Sequence, residues 1–140
     1  MAKTILMSIC ILFFTGNLFA ADPPAEVKKA LEQKFPHALE VKWVKENTHE
    51  YEASFTWQGF SYSSNFSDLG TWLETECMIE FNQLPINVQR TFLASHQAAK
   101  IKAVAKIETS QGVLKYEIEM KKGFKTVELF YTETGMELKE

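Results

Sequence analysis

The side chains with chemistry to offer in this sequence are Cys77, three histidines and several glutamates spaced two apart. A zinc or iron site needs His, Cys or carboxylates that converge. His37, His49 and His96 fall at a helix end, in a hairpin and on a helix, with no ligand spacing among them, and read as solvated. Cys77 has no neighbouring histidine in sequence to activate it, which favours a buried small hydrophobe over a reactive thiolate. The chain has no Gly-x-Ser-x-Gly, no phosphate-cradling glycine loop and no His-Glu-x-x-His. Asp68 and Glu133 each precede a glycine by two positions. That spacing suits a hairpin turn, and the loops are too poor in oxygen ligands for calcium. No catalytic residue, metal ligand or cofactor is therefore expected, and the chain reads as a non-enzyme.

The carboxylates and tryptophans point instead to binding. Between Trp72 and Cys77 the alternation sets Leu73, Thr75 and Cys77 towards a core and turns Trp72 outward beside Glu74 and Glu76. Trp57 sits at a hairpin end, where it stays partly exposed. For both tryptophans two readings stand open: packing in the core or at its edge, and anchoring a partner. The candidate site is Trp72, Trp57, Glu74, Glu76, Glu50 and Glu52, an acidic surface with an aromatic anchor. Glu117 and Glu119 fall on the same face. Such a surface suits a partner with a basic or amphipathic patch.

The elements that must carry these residues follow from period. After Asp22-Pro23-Pro24, a helix-start signal, Val27, Ala30, Leu31 and Phe35 recur at helical spacing until Pro36 ends the run. The period then becomes two. Leu39, Val41 and Trp43 alternate with polar residues, as do Tyr51, Ala53, Phe55 and Trp57, and then Phe60, Tyr62 and Phe66 beyond the Gln58-Gly59 turn. Leu84-Pro85 opens a second helix carrying Val88, Phe92 and Leu93. Strands follow over Ile101–Ile107, Leu114–Met120 and Phe124–Tyr131, with a last short strand after Gly135. The halves correspond residue by residue: Pro24 with Pro85, Val27 with Val88, Leu31 with Phe92, Tyr51 with Tyr116, and Gly70 with Gly135. We expect one domain over residues 21–140, built from two tandem units at about residues 22–81 and 82–140.

Each strand has an apolar face, and each half supplies one amphipathic helix to cover it. The expected fold is α+β: one curved antiparallel sheet of about eight strands with two helices on one face. The other face should lie open to solvent, carrying Lys42, Glu50, Glu52, Ser54, Thr56, Lys115, Glu117, Glu119 and Lys121.

The first twenty residues have the order of a secretory signal: Lys3, an apolar run from Ile5 to Phe14, and small Ala20 before a cleavage point. The run is too short to span about 30 Å of hydrocarbon. Ile9 before Cys10 does not fit a lipoprotein signal, so no stable membrane anchor is expected. Loss of residues 1–20 would leave 14 basic and 18 acidic residues, a net charge of −4. That balance argues against a nucleic-acid surface. Cys77 would then be the only cysteine, excluding an internal disulfide.

The string Pro24-x-x-Val27, Leu31, Phe35-Pro36-x-Ala38, Val41-x-Trp43, Tyr51-x-Ala53-x-Phe55, Phe66-x-Asp68-x-Gly70-x-Trp72 and Leu84-Pro85 resembles the PepSY-like family of bacterial envelope proteins, which is similar to β-lactamase-inhibitor proteins. The resemblance implies helices backing an antiparallel sheet and a periplasmic or secreted protein. It also implies a partner among the proteins or peptides of the envelope, since wider relatives inhibit peptidases or grip enzymes with the sheet. It supplies no catalytic residues. The leading expectation is an exported non-enzymatic binding module, an inhibitor or regulator of an envelope protein or peptidase acting through its open sheet face. The alternative is a carrier of a small apolar or aromatic ligand, held among the aromatics of the first half.

Overall fold

The structure, a computed structural model, describes residues 20–139. The export segment expected over residues 1–20 lies, Ala20 apart, outside the described residues. Pro24, with φ −53°, leads into α1 (Ala25–Lys34). Its carbonyl accepts the Val27 and Lys28 amides. Asp22, expected as the cap, pairs with the Lys28 ammonium instead, and no side chain caps this helix. Val27 and Leu31 are buried one turn apart, and the Phe35 amide closes onto the Leu31 carbonyl at 2.8 Å.

Four strands follow: β1 (Leu39–Asn47), β2 (Glu50–Trp57), β3 (Phe60–Ser67) and β4 (Trp72–Met78). A 3-10 turn at Phe81–Gln83 leads to α2 (Ile86–His96), again entered from a proline, Pro85. Then come β5 (Lys100–Thr109), β6 (Leu114–Lys122), β7 (Lys125–Thr132) and β8 (Glu137–Leu138). All eight strands pair antiparallel, in chain order, in one sheet. The architecture is α+β, as the periods predict: two helices on one curved, open antiparallel sheet.

Register decides which residues share a face. Phe55, Tyr62, Cys77, Lys106, Tyr116 and Tyr131 are successive cross-strand neighbours from β2 to β7, so they share one face. The helices lie on it, over two separate cores. Under α1, Val27, Leu31 and Phe35 meet Ala53, Phe55 and Phe66. Under α2, Leu84, Val88 and Phe92 meet Val104, Tyr116, Ile118, Met120 and Tyr131. Leu93, grouped with Phe92 on spacing, is exposed. The first core is aromatic, with Phe35 set 4.8 Å from Phe55 and 5.3 Å from Trp57 between ring centroids. The second is mainly aliphatic.

Two glycines fix how each helix meets its strands. Gly70 has φ +80°, and a Cβ there would lie 2.8 Å from the Glu26 carbonyl oxygen in the first turn of α1. Gly135 has φ +85° and would meet the Asn87 backbone in the first turn of α2 at 2.7 Å. Positive φ and close backbone approach each call for glycine.

Candidate functional site

The face away from the helices carries the glutamates. Two cross-strand rows pass through its centre. One runs Val44, Glu52, Asn65, Glu74, Thr109; the next runs Lys42, Ser54, Ser63, Glu76, Ile107, Lys115. Glu117 and Glu119 continue the acidic surface along β6, opposite Phe130 and Glu128 of β7. Four of the six predicted site residues, Glu50, Glu52, Glu74 and Glu76, therefore share one face. This face was expected to be open to solvent, yet Glu50, Glu52, Glu74, Glu76, Glu117 and Glu119 are all buried. Paired strands set the side chains of one face in adjoining rows, so these glutamates are covered by their neighbours across the sheet.

Trp72 is not among them. Asn65 pairs with Glu74, but the next residue of β3, Phe66, pairs with Trp72, so Leu73 is the extra residue of a bulge. One inserted residue reverses the parity of what precedes it. Trp72 consequently turns to the helix-backed face, packing against the α1 core with the Lys34 ammonium 3.5 Å from its ring centre. Its indole N–H donates to Thr75 Oγ1 at 2.8 Å. The expectation that Trp72 stands beside Glu74 and Glu76 is corrected. Trp57 also belongs to the helix-backed side: its indole donates to the Pro36 carbonyl at 3.0 Å, and its ring meets Phe35 and Tyr62 edge-on.

Two further bulges carry charged residues at the acidic face. The register shift between Lys45 and Asn47 leaves Glu46 extra in β1, near Glu50 and Glu52. The shift between Ile101 and Ala103 frees Lys102, whose ammonium reaches Glu119 Oε1 at 2.6 Å. The same face carries an apolar strip, with Ala105, Ile107 and Phe130 buried against Met78 and Leu138. Sequence reasoning missed this strip, because Ala105 and Ile107 read as core residues under a helix.

Crowding of like charge governs the electrostatics. Burial first, and then repulsion from Glu117, Glu74 and Glu52, push the Glu76 carboxyl up to about 9, with Lys115 pulling partly back. Glu76 therefore holds its proton at neutral pH. At the edge, desolvation, repulsion by Glu52, a hydrogen bond with Glu52 and repulsion by Glu50 push Glu46 up to about 7.

Other candidate chemistry stays dispersed. His49 Nδ1 lies 3.0 Å from Asp68 Oδ2, tying one hairpin to the next turn. Cys77 is half-buried on the helix-backed face, across the strands from Tyr62, and its thiol donates to the Met78 carbonyl at 3.7 Å. Among the described residues no group of three His, Cys, Asp or Glu is arranged to hold a metal ion. No described helix is long and apolar enough to cross a membrane.

Comparison with solved structures returns the same fold. A DUF2874 family protein of Bacteroides ovatus superposes with TM-score 0.75 at 23% identity, covering 86% of this chain and 87% of that one. A Bacteroides eggerthii structure described as "putative periplasmic proteins" gives TM-score 0.77 at 20% identity over 85% and 88%. A BLIP-like protein of Bacteroides fragilis gives 0.72 at 24% identity over 86% of each. At these identities the likeness is one of fold. No curated protein matches significantly. The family model described as "Putative beta-lactamase-inhibitor-like, PepSY-like" matches residues 49–139. That is most of the chain, from the β1–β2 turn through β8. The chain belongs to the PepSY-like, β-lactamase-inhibitor-like family.

Proposed function

We propose that this protein is a non-enzymatic binding module of the cell envelope, periplasmic or secreted, that takes a protein or peptide partner on the helix-free face of its sheet. The observation that carries the reading is the burial of six glutamates on a face that no helix covers. Desolvating several like charges side by side works against folding, so a role in recognition accounts for a feature the fold itself does not need. The family description and the BLIP-like relative support binding of a protein, and inhibition or regulation of an envelope protein or peptidase is the specific form we favour. The carrier alternative is weakened by the aromatic cluster, whose rings fill the space among themselves at 4.8–5.9 Å between centroids.

The test is affinity capture from periplasmic extract by the tagged protein and two variants. Glu52→Gln combined with Glu119→Gln should lose the captured partner. Lys29→Ala on the exposed side of α1 should keep it. A partner retained by the first and lost by the second would place binding on the helices and end this reading.

A further inference from the structure

Two buried polar groups at the centre of the helix-free face find no hydrogen-bond partner. Asn65 is 2% exposed and its Nδ2 is unpaired; Glu76 is 2% exposed and its Oε2 is unpaired. Asn65 stands between Glu52 and Glu74 across the strands, and Glu76 follows on the same face between Ser63 and Ile107. A buried donor or acceptor without a partner has given up its hydration for nothing, and native interiors hold few of them. Here one donor and one acceptor lie together, among carboxylates, on the one sheet face left uncovered.

Their chemistry defines what fits. The carboxylates around Glu76, and Glu76 once it gives up its proton, only accept hydrogen bonds, so the group that meets them must donate and should be positive. The Asn65 amide needs an acceptor. Beside the carboxylates lies the strip of Met78, Ile107 and Phe130, suited to a methylene stem. A cationic head, an aliphatic stem and a nearby carbonyl together describe a lysine or arginine residue within a peptide. A polyamine has the first two and lacks the third. We infer that Asn65 and Glu76 form a subsite for a lysine or arginine side chain on a basic segment of the partner polypeptide, the cationic head donating to Glu76 and a backbone carbonyl accepting from Asn65. This rests on the binding-module reading and specifies its ligand.

Occupation would change protonation. The titratable groups facing Glu76 are Glu52 on β2, Glu74 on its own strand, and Glu117 and Lys115 on β6. Its cross-strand neighbours Ser63 and Ile107 do not titrate in this range. A cation placed against this cluster favours the ionised carboxyl, so binding near neutral pH releases a proton from Glu76.

The experiment titrates the protein with a short acetylated and amidated peptide holding two lysines. Backbone amide shifts are followed by NMR, and heats are measured in two buffers of different ionisation enthalpy. Controls are the same peptide acetylated on both lysines, and spermidine. The lysine peptide should shift amides of β3 to β6 and release up to one proton, while its acetylated form should not bind. Glu76→Gln should stay folded, bind at least tenfold more weakly and release no proton. Asn65→Leu should weaken the peptide several-fold and leave spermidine unchanged, and Glu108→Gln on the other face should behave as wild type. A peptide that binds this face with no response to Glu76→Gln overturns the subsite and leaves the binding-module reading standing. Equal loss of peptide and spermidine in Asn65→Leu overturns the peptide class. A face that no basic peptide perturbs overturns the inference, and the capture experiment then decides the parent reading separately. Self-association abolished by charge reversal at Lys121, Lys122 and Lys125 would make the protein's own hairpin the occupant and overturn the partner assignment.

Discussion

Strand β4 shows different chemistry on its two sides. Towards the helices, the Trp72 indole donates to Thr75 Oγ1, Thr75 shares a 2.8 Å hydrogen bond with Ser64 Oγ, and Ser64 Oγ lies 2.9 Å from the Glu74 carbonyl. Away from the helices, Glu76 Oε2 is unpaired and Asn65 Nδ2 beside the strand is unpaired too. The helix-backed side of β4 thus closes its polar groups on one another. The helix-free side gathers like charges and leaves groups unmet. The Tyr131 hydroxyl in the α2 core is unpaired as well, so what sets the other side apart is that its unmet groups lie together, among carboxylates, on the uncovered face, and that grouping needs an explanation. Recognition supplies one.

The comparison predicts opposite signs for substitutions on the two faces. Phe55→Ala removes a ring that is 4% exposed and packed between Phe35 and Tyr62. It should lose about 3–5 kcal/mol, the range for truncating a buried phenylalanine, read from urea denaturation. A loss below about 1 kcal/mol would mean that the α1 core does not hold the molecule together, and the contrast between faces would fail.

On the other face, Glu76→Gln should stabilise. The folded carboxyl titrates at about 9, against 4.5 for an unperturbed one. A folded value raised above the unfolded one gives stability that is complete below pH 4.5 and is lost as pH rises towards 9. At pH 7 the unfolded carboxyl is ionised and the folded one is protonated, a difference of about 3 kcal/mol at 1.36 kcal/mol per pH unit. Glutamine keeps the shape and the neutral state, so the variant should gain about that much at pH 7, and its advantage should vanish near pH 4. Denaturation curves from pH 4 to 9 read this directly. A variant with the wild-type pH slope would show that Glu76 is solvated, removing the strain the binding argument uses.

Much of this contrast was legible in the sequence. Alternation correctly set Phe55 and Tyr116 against Glu50, Glu52, Glu117 and Glu119, because a period of two needs no tertiary information. The bulges were not legible. None of Leu73, Glu46 and Lys102 is a glycine or proline that would mark an extra residue, and the breaks in alternation nearby, Trp72-Leu73, Lys45-Glu46-Asn47 and Ala103-Val104-Ala105, do not say which residue is extra. Each bulge is set by how neighbouring strands pair, and two of them change what the acidic face carries: the one at Leu73 takes Trp72 off it, and the one at Lys102 turns Ala105 and Ile107 onto it. Nor could burial of Glu76 be read locally, since the charges that raise its pKa stand on β2, β4 and β6. Glu52 and Glu117 lie 65 residues apart in the chain, and only the sheet brings both to Glu76.

The smallest expected effect separates the faces most cleanly. Trp72→Phe keeps an aromatic ring against the α1 core, and the Lys34 ammonium retains a ring face to sit over. The variant loses the indole N–H, and with it the 2.8 Å bond to Thr75 Oγ1, while Thr75 keeps Ser64 as a partner. One neutral hydrogen bond with its partner otherwise satisfied is worth about 1 kcal/mol, so thermal and urea denaturation should show a loss of that order. Partner capture per folded molecule should not change, since Trp72 faces away from the glutamates. Thr75→Val loses the Ser64 bond as well, so combining it with Trp72→Phe should cost little more than Thr75→Val alone, the bond to the indole being already gone. If Trp72→Phe instead weakens capture with stability intact, the partner reaches round the sheet to the helix-backed side, and the division between a face that holds the fold and a face that binds gives way.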